Sequence, residues 1–408
     1  MRRQLFRQFI FPSFAMSVKN ANFVAIMRKK AYYPMMLCAV LLSALALVSC
    51  NPHKTSQGKG GGDTLQMKYA EDLTIVKHDG YTVARIADPW HKGKTLHTYV
   101  LVPDSVRTLP ASLPQGTVVR TPLRRAVVST TVHSQLFISL SAPEAIGGVC
   151  DLSYVNIPYV QQQVKAHKIA DCGSSMAPDV EKMMDLKPDA VLLSPFENSG
   201  GYGKLEKTRI PIIECADYME PSPLARAEWM KFYGLLLGKE RQADSLFQEV
   251  ETRYLSVKRK AQACKTRPSV LIDRREGGVW YLPGGRSTLG QMIADAGGRY
   301  ILATDKTSGS VPLALEAVLD RGADADIWLV RYFGDPHFGY ATLAGESAAY
   351  TQIKAYKQRH VMGCDLQTSG FYELTPFRPD LLILDFFTIF HPGQNPGQKL
   401  RFFHALQP

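Results

Sequence analysis

The chain has 408 residues, of which 45% are apolar, so it can form sizeable hydrophobic cores, and its length favours two domains. The formal net charge is +11, but residues 1–49 hold four Arg, three Lys and no acid, so removing their +7 leaves +4. That small charge gives no support for nucleic-acid binding. The sequence also lacks G-x-x-x-x-G-K-S/T, G-x-S-x-G and H-E-x-x-H, which excludes the common signatures of nucleotide hydrolases, serine hydrolases and zinc proteases.

The N-terminal segment has the residue order of a secretory signal peptide. Cationic residues 28–30 precede an apolar run at 35–48, and a small residue, Ser49, comes directly before Cys50. This order is typical of a bacterial lipobox and predicts cleavage before Cys50 and acylation of its thiol. A spanning helix is the alternative, but the 14-residue run falls short of the roughly 20 residues needed. Met27 is a candidate for the true start of the signal.

Two short regions follow the signal. Residues 50–64 are polar and rich in glycine, which predicts a flexible tether between the lipid and the folded protein. From residue 65 to residue 120, aromatic and β-branched residues alternate with polar ones and prolines interrupt the pattern. This texture predicts a small β-rich extension made of hairpins and edge strands.

Residues 121–221 change to short apolar runs that alternate with helical patterns, which predicts an α/β lobe with a mainly parallel sheet. The predicted strands are 126–129, 189–193 and 210–213. The predicted helices are 135–146 and one that includes 181–186.

A long helical region is predicted at 222–264. Ser222 is a suitable N-cap, Pro223 suits the first helical position, and Gly238 marks a joint. From residue 239 to residue 263 the apolar residues recur at the spacing of one helical face, over roughly 37 Å at 1.5 Å per residue. Such a helix is long for one domain and is suited to join two.

A second α/β series is predicted at 265–408, with strands at 269–273, 279–282 and 326–330 and helices at 287–296, around 317–319 and at 379–390. The two series also repeat a local pattern. Glu181 opens a short helix that leads into a buried strand, and Glu316 does the same 135 residues later. The predicted fold is therefore α/β, with two Rossmann-like lobes joined by a long rigid helix and a small β-rich N-terminal extension.

Five cysteines remain outside the signal and the lipobox, and none is spaced as C-x-x-C. Buried thiols are the favoured interpretation, while an oxidising compartment also permits one or two disulfides.

Most candidate ligand-binding residues lie in loops that follow predicted strands, where α/β proteins place their sites. Arginine binds carboxylates through two hydrogen bonds, and aromatic faces bury conjugated surface, so this mixture is suited to a large, flat, anionic ligand. The alternative is that the aromatic residues pack in the core. No catalytic or metal-binding set is predicted. The candidate residues are His133, Phe196, Arg274, Arg275, Trp280, Tyr281, Arg331, Tyr332 and Tyr372.

From about residue 124 to residue 392 the chain resembles the periplasmic binding proteins of ABC importers for ferric siderophores, haem and vitamin B12. The β-rich extension is similar to the branch found in Bacteroidetes-type bacteria. The segments that carry the resemblance are 180–193, 227–240, 277–285 with 295–298, 308–318, and 378–384 with 390–392.

The resemblance implies a ligand held between two lobes and a rigid helix that limits their closure. It also implies that Glu181 and Glu316 dock onto arginines of the membrane permease. The alternative for both residues is a helix N-terminal glutamate that the helix dipole favours.

We therefore expect a monomeric, periplasm-facing lipoprotein of the cell envelope that captures a small-molecule metal chelate, either a ferric siderophore or haem. It is expected to deliver this ligand to an ABC transporter permease without catalysis, cofactor or nucleic acid. Cobalamin is the alternative ligand. A tetrapyrrole metal chelatase using His133 and Glu197 is the alternative enzyme, and a surface adhesin or haemophore acting alone is a third possibility.

Overall fold

The computed structural model describes residues 62–108, 113–197 and 201–407. The candidate start at Met27, the predicted lipidation site at Cys50 and most of the predicted tether lie outside the described residues. Within those ranges, no helix combines the length and the apolar character needed to cross a membrane. The predicted domain boundaries stay predictions.

The β-rich extension forms a five-stranded sheet in the order β1-β2-β3-β4-β5, antiparallel except for the parallel pair β4–β5. One face of this sheet, including Ile75, Ala84 and Tyr99, joins the main hydrophobic core. Tyr99 donates a hydrogen bond to the carbonyl of Ile212 in the first lobe at 3.0 Å. The strands are β1 Asp63–Leu65, β2 Leu73–His78, β3 Tyr81–Ala87, β4 Thr95–Pro103 and β5 Thr117–Thr121.

The first lobe contains a five-stranded sheet in the order β12-β11-β6-β7-β8, in which all neighbours are parallel. The strands are β6 Ala126–Val128, β7 Ile146–Val149, β8 Ala170–Asp171, the hairpin β9 Gly173–Ser174 with β10 Ala177–Pro178, β11 Ala190–Leu193 and β12 Ile212–Glu214. The α-helices are Thr131–Ser139, Pro158–Lys165 and Val180–Leu186. Short 3₁₀ helices cover Pro143–Ala145, Leu152–Tyr154, Leu205–Thr208 and Ala216–Met219.

The predicted helix at 135–146 is wrong at both ends. The helix begins at Thr131, because the Thr130 side chain accepts the backbone N–H of His133, and it ends at Ser139. Ser141 then adopts a left-handed φ of 56°. Residues 146–149 form β7, which pairs with β6. A short apolar run of this kind does not distinguish a helix end from a buried strand.

The linker region was predicted closely. Ser222 caps the helix Pro223–Glu228 by accepting the backbone N–H of Ala225, and Gly238 ends the helix Met230–Leu237 with a φ of 62°. The linker helix Glu240–Ala263 has 24 residues, about 36 Å at 1.5 Å per residue. It packs against Met230–Leu237 and against the C-terminal helix. Its buried residues are Ala243, Phe247, Val250, Tyr254, Val257 and Ala261.

The second lobe contains a five-stranded sheet in the order β16-β13-β18-β19-β20, parallel except for β20, and a small antiparallel sheet β14-β15-β17. The strands are β13 Ser269–Ile272, β14 Arg275–Glu276, β15 Val279–Pro283, β16 Arg299–Tyr300, β17 Ser310–Leu313, β18 Ile327–Tyr332, β19 Val361–Asp365 and β20 His404–Ala405. The α-helices are Thr288–Asp295, Leu315–Gly322, Tyr340–Glu346, Lys354–Lys357, Phe371–Leu374 and the C-terminal helix Pro379–Phe390, with 3₁₀ helices at Ala348–Gln352 and Pro392–Gln394.

Two buried carboxylates attach the extension to the rest of the protein, one just before the linker region and one within it. Glu228 accepts the backbone N–H groups of Lys68, Tyr69 and Ala70 at 2.7–3.0 Å. Glu220 accepts the next two backbone N–H groups, at residues 71 and 72, at 3.0 Å each. The segment between β1 and β2 is thus held through its backbone, which no sequence pattern indicates. Burial opposes the charge of Glu228, but Lys231 and these N–H groups outweigh it and lower its pKa.

Replacing Glu228 by alanine is expected to lower the free energy of unfolding by about 3 kcal/mol, because three backbone donors and the Lys231 ammonium lose a buried partner. Urea unfolding measures the loss, and limited proteolysis tests whether residues 62–72 become accessible. The exposed Glu144→Ala is the control. A Glu228→Ala protein as stable and as protease-resistant as the wild type would show that other contacts hold the extension.

Candidate functional site

The two lobes meet where strands of both parallel sheets end. The helix Thr131–Ser139, which follows β6, packs against the short helix Phe371–Leu374 of the second lobe. Across this contact, the Thr131 hydroxyl donates a hydrogen bond to Glu373 Oε1 at 3.4 Å. A second contact joins Gln291 Nε2 to the carbonyl of Pro221 at 2.6 Å. The candidate cleft is the region between the lobes at these strand ends.

Arg331, at the end of β18, is held by a carboxylate of its own lobe. Its Nε and Nη2 atoms donate to the two oxygens of Asp273, each at 2.7 Å, and its guanidinium lies 5.5 Å from the ring centre of Phe371. Burial acts to lower the pKa of Arg331, but the charge and hydrogen bonds of Asp273 outweigh burial and raise it. The guanidinium is therefore already neutralised before any ligand binds.

Arg274 is also paired within its lobe. Its Nη1 atom lies 2.9 Å from Glu346 Oε1, and its guanidinium lies 5.3 Å from the ring centre of Phe338. Its Nε atom is buried without a hydrogen-bond partner among the described residues. Arg275 differs, since no ion pair involves its side chain in the described part of the chain. Its backbone pairs with Trp280 in β15, and its N–H donates to the Tyr350 hydroxyl at 2.9 Å.

The predicted aromatic contacts divide into buried and exposed residues. Trp280 is fully buried against Trp328 and Tyr350, and its Nε1 atom donates to the carbonyl of Ile272 at 3.0 Å. We therefore remove Trp280 from the candidate contacts, because it offers no surface to a ligand. Tyr332 is also buried, and we remove it from the candidate contacts for the same reason.

Three predicted aromatic residues retain accessible surface. Phe196 is 39% exposed and Tyr281 is 42% exposed. Tyr372 is half-buried beside the Arg331–Asp273 pair; burial raises its pKa, and Arg331 offsets part of this shift. These residues stay candidates for contact with a conjugated ligand.

His133 lies in a buried polar network instead of a binding surface. Its Nε2 atom lies 2.8 Å from Asp217 Oδ1 and its Nδ1 atom lies 2.5 Å from the Thr130 hydroxyl. Tyr233 donates to Asp217 Oδ1 at 2.8 Å and Arg226 Nε donates to Oδ2 at 3.0 Å. Because both ring nitrogens are engaged and the residue is 2% exposed, we also remove His133 from the candidate contacts.

The charges in this network stabilise one another. Burial disfavours a protonated His133, but Cys215 and Asp217 outweigh it and raise the pKa of His133 to about 10. Burial likewise opposes the Asp217 carboxylate, but His133 and Arg226 lower its pKa to about 2. Asp217 was not predicted as a site residue. Its position just after β12 could have indicated one, because α/β proteins place functional residues after strands.

Glu373 also was not predicted from the sequence. It is 6% exposed, lies on the second lobe and faces the first through Thr131. Its Oε2 atom is buried without a hydrogen-bond partner among the described residues. Burial raises the pKa of Glu373, against the effect of nearby backbone N–H groups and Thr131.

The two predicted docking residues are accessible. Glu181 lies in the first turn of the helix Val180–Leu186, and Glu316 lies in the first turn of Leu315–Gly322. Both are exposed, and the side chain of neither forms an ion pair or hydrogen bond within the described ranges.

The cysteines and the metal-ligand residue types form no further site in the described structure. The five described cysteines are free thiols, and four of them are buried. Across the residues described, no group of three or more His, Cys, Asp and Glu is arranged to hold a metal ion.

Comparison with known proteins identifies the family. A family model described as periplasmic binding protein matches residues 135–368. An uncharacterized lipoprotein of Methanocaldococcus jannaschii is 26% identical over 296 residues, 70% of this chain and 69% of the relative. A periplasmic heme binding protein from Pseudomonas aeruginosa has a TM-score of 0.55 at 17% identity, covering 70% of this chain and 98% of that structure.

A further solved structure, an ABC-type Fe³⁺-hydroxamate transport system from Saccharomonospora viridis, has a TM-score of 0.51 at 14% identity and covers 66% of this chain and 94% of that one. These structural similarities confirm the predicted two-lobed α/β fold. Because the family model spans more than half of the sequence, this chain belongs to the periplasmic binding protein family.

Proposed function

We propose that this protein is the lipid-anchored substrate-binding component of an ABC importer, and that it captures an iron complex between its lobes. The ligand is a ferric siderophore or haem, and the protein delivers it to the permease. Family members bind small molecules and act with ABC permeases, and the family and its structural neighbours are binding proteins rather than enzymes. The solved relatives include one named as a heme binder and one named for Fe³⁺-hydroxamate transport.

The observation that carries the proposal is an arginine of the second lobe without an ion-pair partner in the described chain, together with aromatic side chains on both lobes that keep accessible surface. Arg275 has no ion-pair partner in the described chain, and Phe196, Tyr281 and Tyr372 keep accessible surface. An arginine beside aromatic faces is suited to a conjugated ligand with an anionic group. The lobes are joined by a continuous linker helix, which favours a small closing motion of the lobes around the ligand.

The proposal is tested by purifying the protein from its native host and measuring the mass and absorbance spectrum of any bound chromophore. Calorimetry with haem, ferric siderophores and cobalamin then gives the affinity for each. We expect one class of chelate to bind with micromolar or tighter affinity. Failure of every metal chelate to bind would contradict the proposal.

Cobalamin is the second candidate, and the two paired arginines favour it. Asp273 neutralises Arg331 and Glu346 neutralises Arg274, so neither guanidinium is free to pair with an anionic ligand. A corrinoid presents a large conjugated surface and needs no arginine for its recognition. The calorimetry described above separates the two candidates directly.

A chelatase activity and an independent adhesin or haemophore role both lose support from particular residues. A chelatase based on His133 and Glu197 would need a histidine with a free ring nitrogen, but both nitrogens of His133 are engaged inside the protein. An adhesin or haemophore acting alone would not need exposed acids on both lobes, whereas Glu181 and Glu316 are both accessible.

The proposed location is the periplasmic side of a bacterial membrane, with an acyl chain on Cys50 as the anchor. The lipoprotein name of the M. jannaschii relative supports such an anchor, and family membership supports the cell envelope. We also propose that the protein acts as a monomer and does not bind nucleic acid. Mass spectrometry of the N-terminal peptide tests the lipid, and light scattering tests the oligomeric state.

A further inference from the structure

We propose that Glu373 contacts the bound ligand and selects chelates with amide, hydroxyl or ester groups at their rim over chelates with free carboxylates there. This inference rests on the proposed function and adds to it a property of the ligand that the family does not fix.

Glu373 is placed where a ligand between the lobes is expected. It belongs to the helix Phe371–Leu374, which packs against the helix that follows β6. β6 is the central strand of the first sheet, and ligands of parallel α/β sheets bind beyond the carboxyl ends of such strands. Thr131, the hydrogen-bond partner of Glu373, is the first residue of that helix.

The carboxyl group of Glu373 is incompletely satisfied. Oε2 is buried and has no hydrogen-bond partner in the described ranges, where the only similar side-chain atom is Nε of Arg274. Buried polar atoms in folded proteins are nearly always hydrogen-bonded. A carboxyl oxygen left open between two lobes is therefore available to a partner that the protein itself does not supply.

The side-chain contact of Glu373 with Thr131 is weak enough to be replaced by a contact with a ligand. The Thr131 hydroxyl lies 3.4 Å from Oε1, beyond the 2.5–3.0 Å usual for O–H···O hydrogen bonds. Separation of the lobes breaks this contact at little cost. Oε2, together with the position on Oε1 that Thr131 leaves, then becomes available to a group of the entering ligand, while the backbone N–H groups of Asn156 and Glu373 still act on the carboxyl.

The surrounding charges decide which groups are favoured. Asp273 and Glu346 already neutralise Arg331 and Arg274, so the Glu373 carboxyl adds negative charge that these arginines do not offset. A carboxylate on the ligand is repelled by an ionised Glu373. An amide or hydroxyl group can donate to the ionised form or accept from the protonated form, which burial makes more accessible by raising the pKa. Esterification of a ligand carboxylate removes the repelled charge and leaves the macrocycle unchanged.

Two matched pairs of probes test the inference. The first pair is a corrinoid with side-chain amides and the same corrinoid with carboxylates in their place. The second pair is haem and its dimethyl ester. For each pair that binds, calorimetry on the wild type is expected to show that the uncharged member binds more tightly than the carboxylate-bearing member.

Two variants then assign any preference to Glu373. Glu373→Ala is expected to weaken amide-bearing corrinoid binding about fivefold to tenfold while leaving carboxylate-bearing chelates unchanged or tighter. Glu373→Gln is expected to keep the corrinoid affinity and to relieve the repulsion of carboxylates. Thermal unfolding of both variants checks that they fold, and Glu240→Ala, on the exposed first turn of the linker helix, is the binding control.

The possible results separate this inference from the proposed function. Equal binding of both members of each pair, or an equal effect of Glu373→Ala on all chelates, overturns the inference and leaves the proposed function standing. A wild-type preference for carboxylates that Arg275→Ala removes also overturns it, because the arginine then selects the ligand. Absence of binding to every chelate overturns both.

Discussion

Replacing Asp217 by alanine is expected to lower the free energy of unfolding by about 3–5 kcal/mol, because it leaves buried positive charge without its partner. The carboxylate is fully buried and accepts hydrogen bonds from His133, Tyr233 and Arg226. Urea unfolding near pH 6 measures the loss. Asp217→Asn is expected to lose less, since an amide oxygen still accepts a hydrogen bond at the same place.

The control for this experiment is Asp185→Ala, an exposed aspartate on the helix Val180–Leu186 that should change stability by no more than about 0.5 kcal/mol. A loss below about 1 kcal/mol for Asp217→Ala would mean that the network is not held by charge. Ring contacts of His133 and Tyr233 with Phe377, at 5.8 Å each, would then be its main support.

The same network makes stability depend on pH in a defined direction. The pKa of His133 is raised from 6.5 to about 10, so its contribution is complete below pH 6.5 and is lost as the pH rises through about 10. The pKa of Asp217 is lowered from 3.8 to about 2, so its contribution is present above pH 3.8 and is lost as the pH falls through about 2. The difference in unfolding free energy between wild type and Asp217→Asn is therefore expected to be largest between pH 3.8 and pH 6.5, where both contributions are complete.

The elements predicted most accurately are those whose signal is local. The linker helix was predicted because seven of its apolar residues recur on one face; six of them are buried in the structure and the seventh, Leu246, is partly buried. The C-terminal helix was predicted as 379–390 and is Pro379–Phe390. In contrast, residues 142–146 have no such repeat, and pairing with β6 decides that residues 146–149 form a strand.

The candidate site was predicted less well because its chemistry depends on distant partners. His133 is engaged by Asp217, 84 residues away, and Arg331 by Asp273, 58 residues away. No local pattern distinguishes an arginine that is free to bind a ligand from one that is paired with a carboxylate of the protein. Alternation along β15 buries Trp280 and exposes Tyr281, but the sequence does not show which face of that strand meets the core.

Replacing Glu181 and Glu316 together by glutamine is expected to abolish most of the importer's response to this protein while leaving ligand binding unchanged. Each carboxylate is exposed in the first turn of its helix and has no partner among the described residues, so both are free to pair with arginines of the permease. Close charge pairs across interfaces contribute about 1.5 kcal/mol or more. Each single change should therefore weaken docking about tenfold, and the double change about a hundredfold if the sites act independently.

The measurement is ATP hydrolysis by the importer, isolated from the native host and placed in lipid vesicles, as a function of the concentration of the binding protein. Asp185→Asn and Asp320→Asn are matched controls, because each removes an exposed acid from the same helix as one docking glutamate. Since exposed charges are screened by salt, the wild-type response should fall at high ionic strength while the double variant changes little. Full stimulation of the importer by the double variant would mean that docking rests on apolar contact instead. Met184, which is 51% exposed and lies three residues after Glu181 on the same helix face, is then the first residue to test.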